Sequence, residues 1–452
     1  MWVQIRLTFL FLRMPLVVIT LGILLLFILI LVVRLNAFIA FILVGLAIGM
    51  GQGMELNAIV QSIEKGIGNT LGFLVMILGL GAMLGKLVAE SGAAQKITNG
   101  LIQLFGVKNT RIAVMLTGFI VGVTMFYSVG FVILVPLVFT VAAATGLSLI
   151  SIALPMLAAL SVTHGFLPPH PAPTALSVMF EADIGKTLIY GVIIAIPAIL
   201  ISGPLLTKFI PKVEAKPLKE FMTTKVFSDE ELPSFSNSIL TALFPVILIA
   251  ISTLILNFFE IEGLWFSIIK FIGNPVIALL LTVLVGTYSL GISRGLKMDE
   301  VMKIFAKAVS GITMVLLIIA GAGSLKQILI DSGVSEYIGN LLQITSMSPL
   351  IIGWLIATLI RFSVGSATVA GLTTAGIVLP LVQTTGVSPE LMVLAIGSGS
   401  LMLSHVNDSG FWLFKEYFNL NVKDTLSTWT VMETSIGISG LIGVLILNQF
   451  VN

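Results

Sequence analysis

The sequence predicts an all-α polytopic membrane protein, and three observations carry that prediction. First, 57% of its 452 residues are hydrophobic and only 10% are charged, where a soluble chain carries roughly 25% charge. Second, the apolar residues fall into runs of about 20, the length at which a helix crosses the hydrocarbon of a bilayer. Third, the order of these runs and of their interruptions in the first half recurs in the second. Backbone immersed in lipid has no water to bond, so helices are the element such runs must form. The mean hydropathy of +1.14 agrees.

Taken in order, Met1 to Leu12, with Arg6, reads as a flank leading into the first helix. It lacks the small-residue cleavage site of a leader peptide. Residues 15–33 and 36–50 are expected to span. Glu55 to Lys65 is polar and amphipathic and is expected to lie at the interface, before a span over 70–89 and a second interfacial piece over 94–106. From 112 to 145 the chain is almost uniformly apolar, broken only by Tyr127-Ser128-Val129-Gly130. Two short arms with that tetrapeptide between them suit a re-entrant hairpin. The stretch 148–180 is interrupted by Thr163 to Pro171, a density of proline and glycine that stops a helix. A span over 187–208 completes a first unit, 1–208.

Residues 209–238 form a polar linker carrying Lys212, Lys216, Lys219 and Lys225, and the positive-inside rule places it in the cytoplasm. The second unit, 239–452, follows the same plan. Spans are expected at 239–258 and 275–292, then an amphipathic piece at 297–307 and a span at 310–330. A hairpin at 350–385 is interrupted by Arg361 to Thr368, and a broken span at 389–420 is interrupted by Ser404 to Gly410. A last span runs over 428–449.

The halves also match in detail. Glu90-Ser91-Gly92 corresponds to Asp331-Ser332-Gly333, and Ile97 and Asn99 to Ile338 and Asn340. Tyr127-Ser128-Val129-Gly130 corresponds to Phe362-Ser363-Val364-Gly365, and Val135-Pro136-Leu137-Val138 to Leu379-Pro380-Leu381-Val382. His164 in one break lies opposite His405 in the other. Five crossings and one hairpin per half is an odd number of crossings, which turns the second copy upside down. The expectation is therefore an inverted-topology repeat, the plan of many secondary transporters, with both termini outside.

In such proteins the site lies where helices are broken, because a break exposes unpaired N–H groups and the positive end of a helix dipole. These favour an anionic group. The candidates for contact with a small anion are Ser128, Gly130, Thr163, His164, Arg361, Ser363, Gly365, Ser366, Thr368, His405 and Asn407. The hydroxyls suit a polyol as donors and acceptors, and suit helix capping equally well. Arg361 suits a carboxylate held by two nitrogens, or a structural pair with Asp408. All three histidines, His164, His170 and His405, fall in the two broken spans, and histidine titrates near neutrality. With them, Asp408, a carboxylate inside an apolar span, is a candidate for proton coupling, or for a cap at the break. Lys86, Glu90, Lys326 and Asp331 sit near span ends and are expected to snorkel to the interface. Trp354, Trp412 and Trp429 are expected to face lipid.

Much is excluded. There is no cysteine, hence no disulfide, thiol chemistry or Cys-ligated zinc. No HExxH spacing supports a metal, and no cofactor is called for. No Walker motif points to ATP, and no GxSxG to a membrane-embedded hydrolase. With a net charge of +2 and no long basic tract, nucleic acid is not an expected partner. A secondary carrier of a small hydroxy-acid anion accounts for the repeat, the breaks and the clustered histidines together. An enzyme acting at the bilayer and a passive channel are the competing classes.

Four stretches resemble the gluconate permease family: NTLGFLVMILGLGAMLGKLVAESGAA (Asn69 to Ala94), SVTHGFLPPHPAPTA (Ser161 to Ala175) followed by Ala182 to Thr187, GSATVAGLTTAGIVLPL (Gly365 to Leu381), and Ser404-His405-Val406-Asn407-Asp408-Ser409-Gly410-Phe411-Trp412. The likeness covers nearly the whole chain from about Met14. It implies a multi-pass protein of the bacterial inner membrane that imports D-gluconate or a related sugar acid, with the proton as coupling ion. Carriers of glycerate or D-serine, or a sodium-coupled mode, are the alternatives. It also implies a homodimer in which a scaffold domain supports a mobile transport domain, moving as an elevator.

Overall fold

In the computed structural model of the chain, residues 17–26, 28–125, 127–211, 213–215, 227–333, 347–406 and 408–451 are described, and every regular element among them is helical. After a helical stretch over 17–26 come α1 (Ala37–Gly51), α2 (Leu56–Glu90) and α3 (Ala93–Phe105). A hairpin follows, α4 (Thr110–Thr124) and α5 (Tyr127–Thr145), then a broken pair, α6 (Leu149–Phe166) and α7 (Pro171–Met179), then α8 (Ile184–Lys208). Beyond the linker come α9 (Phe235–Phe258), α10 (Gly263–Ile272), α11 (Pro275–Arg294) and α12 (Met298–Asp331). A second hairpin, α13 (Pro349–Val364) and α14 (Ala367–Thr385), precedes a second broken pair, α15 (Pro389–Gly399) and α16 (Ser409–Tyr417). The last helix is α17 (Val422–Val451). Among the described residues eight helices are long and apolar enough to cross a membrane, counting α6 and α7 as one.

The long helices α2 and α12 lie against each other, with α1 packed on α12 and α11 on α2. Around a second centre, α4 and α5 pack on α6, and α13 and α14 pack on α15. α17 touches α6, α8 and α15, and α14 bridges to α7 and α12. The second centre is the more buried. Every residue of α6 from Ile152 to Thr163 and every residue of α15 from Leu391 to Gly399 is buried. In lipid, helices pack through small residues that let backbones approach. At the crossing of α6 with α15, a Cβ on Gly397 would lie 2.2 Å from the carbonyl oxygen of Gly165. Only glycine fits there, and the two broken spans are thereby held backbone to backbone.

Several expected boundaries move. The interfacial piece 55–65 is not separate: α2 runs unbroken for 35 residues, about 52 Å. Between Lys65 and Leu71 only Gly66, Gly68 and Asn69 oppose the helix, and glycine costs about 1 kcal/mol, too little to stop it. The piece 297–307 is likewise the start of α12. α3 buries Ala93, Ala94, Ile97 and Leu101 against α4 and α9. Tyr127 to Gly130 is the first turn of α5, and the turn itself falls just before it, at Met125. α6 continues through Thr163 to Phe166, so the first break is only Leu167 to His170. The second break is longer than expected, because α15 stops at Gly399. α10 is a helix that the hydropathy pattern did not single out. Ile338 and Asn340, with Lys212, Lys216, Lys219 and Lys225 of the linker, lie outside the described residues.

Candidate functional site

Each interruption ends one helix and starts another, and local chemistry explains where. Gly365 takes the left-handed backbone (φ +75°) that closes α13, and its N–H donates to the Arg361 carbonyl at 3.0 Å. Ser366 then caps α14, accepting from Val369 N at 3.4 Å. Asp408 caps α16, accepting from Gly410 N at 2.8 Å. α7 opens on Pro171, which has no N–H to leave unpaired and a backbone angle preset for a first helical turn.

These three starts converge with that of α5. A cavity of about 280 Å³ is lined by the first residues of α5 (Tyr127), α7 (Pro171), α14 (Ala367, Thr368) and α16 (Ser409, Gly410). Its walls come from Ser161 and His164 of α6, Arg361 of α13, Trp429 and Glu433 of α17, and Val315 of α12. Four positive helix ends around one space make it electrostatically suited to a negative group. The volume is near the lower end of small-ligand pockets, about 300–1,000 Å³.

The charges are largely withdrawn from solvent. Arg361 is 3% exposed and pairs through Nη2 with Asp408. Asp408 also accepts from Ser404 Oγ, and Trp429 Nε1 donates to that same Ser404 oxygen at 2.8 Å. Among the described residues the remaining nitrogens of Arg361, Nε and Nη1, have no partner, nor do Tyr127 Oη and His164 Nδ1. Buried polar atoms are nearly always bonded, so four unsatisfied ones on three residues of a single cavity mark a place built for a polar ligand. Glu433, 2% exposed, accepts a hydrogen bond from Ser161 Oγ at 2.5 Å.

Of the residues singled out in the sequence, the structure brings His164, Arg361, Gly365, Ser366, Thr368 and Asp408 together around the cavity. Others lie apart from it. Thr163 Oγ1 donates to the Leu160 carbonyl at 2.8 Å, and Ser363 Oγ to the Leu359 carbonyl at 3.0 Å. His170 Nε2 bonds the Gly122 carbonyl oxygen at 2.6 Å, and His405 Nε2 the Phe362 carbonyl oxygen at 3.1 Å. Gly130 faces Leu160, within α5. Ser128 lies in the first turn of α5, and Asn407 falls outside the described residues.

Sequence reasoning missed Tyr127 as a side chain, Ser161, Trp429 and Glu433. Trp429, expected to face lipid, is 2% exposed and braces Ser404. Trp354 also turns inward, donating to the Gly437 carbonyl at 3.0 Å. Glu433 had a legible signal, a carboxylate inside an apolar span. The expected snorkelling of Lys326 and Asp331 is also replaced by internal bonds. Lys326 Nζ donates to the Met179 carbonyl at the end of α7 (2.7 Å), and Asp331 accepts from Ser62 Oγ (2.7 Å) and Gln327 Nε2 (2.8 Å).

The sequence model of the GntP family permeases matches residues 14–451. A high-affinity gluconate transporter of Escherichia coli (strain K12) is 48% identical over 439 residues, which is 97% of this chain and 100% of the relative. The Gnt-II system L-idonate transporter of the same organism is 49% identical over 435 residues, covering 96% and 99% of the two chains. A gluconate permease of Bacillus subtilis (strain 168) is 45% identical, covering 97% and 100%. Among solved structures, the YdaH transporter of Alcanivorax borkumensis superposes with a TM-score of 0.65 at 16% identity, over 91% of this chain and 97% of that one. MtrF of Neisseria gonorrhoeae gives a TM-score of 0.65 at 16% identity, over 90% and 94%. These two likenesses are of fold.

Proposed function

The chain belongs to the GntP permease family, and from that premise we propose that it is a secondary transporter that carries D-gluconate or a closely related sugar acid into the cell together with a proton. It is a multi-pass membrane transporter rather than an enzyme. The observation that carries the substrate assignment is the convergence of four helix N-termini and the unpartnered nitrogens of Arg361 on one cavity. A sugar acid has one carboxylate and several hydroxyls. The carboxylate goes to Arg361 Nε and Nη1 and the nearby helix ends, which act as donors without a buried lysine. The hydroxyls go to Tyr127 Oη and His164 Nδ1, to Thr368, and to the Ser366 hydroxyl, whose proton is not used by the α14 cap. Gluconate and idonate are epimers, and relatives named for each are about equally similar, so one cavity plan suits both.

For transport the chain divides into two repeats, 1–208 and 239–452, related by inversion. α1, α2, α11 and α12 serve as the scaffold, and the hairpins with the broken helices form the moving unit, as an elevator in a homodimer. Support comes from the same order of long helix, hairpin and broken helix in both halves, and from the two packing centres joined at the α12 wall.

The test is uptake of labelled gluconate into proteoliposomes, with acid outside and sodium absent. Accumulation that collapses with a protonophore is expected. Uptake that needs sodium would overturn the proton assignment, and uptake of neither gluconate nor idonate would overturn the substrate class.

A further inference from the structure

We infer that Glu433, and not the Asp408 carboxylate, is the group that binds the transported proton. This rests on the reading of the cavity as a sugar-acid site and adds to it the residue through which proton and anion are coupled.

Bonding separates the two acids. Asp408 receives Arg361, Ser404 Oγ and the Gly410 N–H, and it holds the start of α16. A group that takes up and gives back a proton in each cycle would have to break that set each time. Glu433 has one partner among the described residues, Ser161 Oγ, and lines the same cavity from α17. Its burial at 2% exposure gives an ionised carboxylate little water to compensate it.

Charge then supplies the coupling. The ionisable groups facing Glu433 across the cavity are Tyr127 of α5, His164 of α6, Arg361 of α13 and Asp408 before α16; α8 and α15, packed on α17, contribute none to it. Arg361 is the one permanent cation lining the cavity among the described residues, and Asp408 already balances it. With Glu433 ionised the cavity is net negative and repels an anion. With Glu433 protonated it is balanced, and the positive helix ends prevail. Anion and proton therefore favour each other's binding, and linkage makes that preference reciprocal. One proton joins a Glu433 carboxylate oxygen as substrate enters and returns to water where substrate leaves; no covalent bond of the substrate changes.

The test is gluconate binding to the purified protein as a function of pH, for the wild type, E433Q and E433D. One linked proton weakens wild-type affinity by about tenfold per pH unit on the alkaline side. E433Q, the shape of the protonated acid without the proton, is expected to bind with a flat profile and to lose gradient-driven accumulation. E433D keeps a titrating group and is expected to retain the slope at a displaced pH. A wild-type slope in E433Q overturns the proposal. Loss of binding in both variants, in protein that remains monodisperse, also overturns it, by making Glu433 a structural group. Absence of gluconate binding by the wild type would instead remove the substrate reading on which the proposal stands.

Discussion

Among single residues, Arg361 and Asp408 carry the heaviest demands, because the arginine is buried, the carboxylate is only 13% exposed, and loss of either leaves the other without its counter-charge. Removing one partner of a buried pair costs about 3–5 kcal/mol, since the survivor is left charged without compensation. Asp408→Asn is therefore expected to lower the unfolding temperature in detergent and to abolish gluconate accumulation while the protein still reaches the membrane. Accumulation at the wild-type level would remove Asp408 from transport altogether. Arg361→Lys keeps the charge but loses the planar fork, so one charged hydrogen bond to substrate goes, about 1.5–3 kcal/mol. The KM for gluconate is expected to rise by at least about tenfold on that scale, measured from initial uptake rates. An unchanged KM would leave Arg361 as the counter-charge of Asp408 only.

Elements are fixed by where helices are allowed to stop and how closely they may cross. Pro171 and Gly365 set two of the helix starts that face the cavity, and both were readable as breakers in the sequence. The crossing of α6 with α15 was not readable, because nothing in a run of apolar residues says which glycine meets which backbone. Gly397→Ala would place a Cβ 2.2 Å from the Gly165 carbonyl oxygen. Overpacking of this kind costs about 1–3 kcal/mol. The variant is expected to melt earlier and to transport more slowly at saturating gluconate, with both read on one preparation. A wild-type melting curve would mean that the two broken helices separate freely. The long helices teach the opposite lesson: α2 and α12 absorbed polar turns that read as interfacial pieces. Helix continuity is decided by the absence of a breaker, not by a change of polarity.

The whole molecule places Val315, from the long helix α12, in the wall of a cavity otherwise built from hairpins, broken helices and α17. The chain contains no cysteine, so a single Val315→Cys gives one thiol to follow. A water-soluble thiol reagent is expected to inhibit uptake in this variant, and excess gluconate to protect against it. Full activity after complete labelling would move α12 away from the substrate path. Composition and run length determined that the chain lives in lipid as helices, because unpaired backbone cannot be immersed there. Breakers in apolar spans marked the helix ends that line the cavity, and the shared order of the halves marked the order of helix, hairpin and broken helix. His164, Arg361, Ser366, Thr368 and Asp408 were named on that basis alone, and they meet around one cavity. Tertiary structure alone decided which polar residues face that cavity and which are spent on local carbonyls: His170 and His405 went to backbone oxygens, and Trp429 turned from the expected lipid surface to brace Ser404. It also brought Ser161 and Glu433, 272 positions apart, within 2.5 Å. Sequence spacing orders residues along one helix, but partners on different helices are chosen by packing, and that choice is not written in any single run.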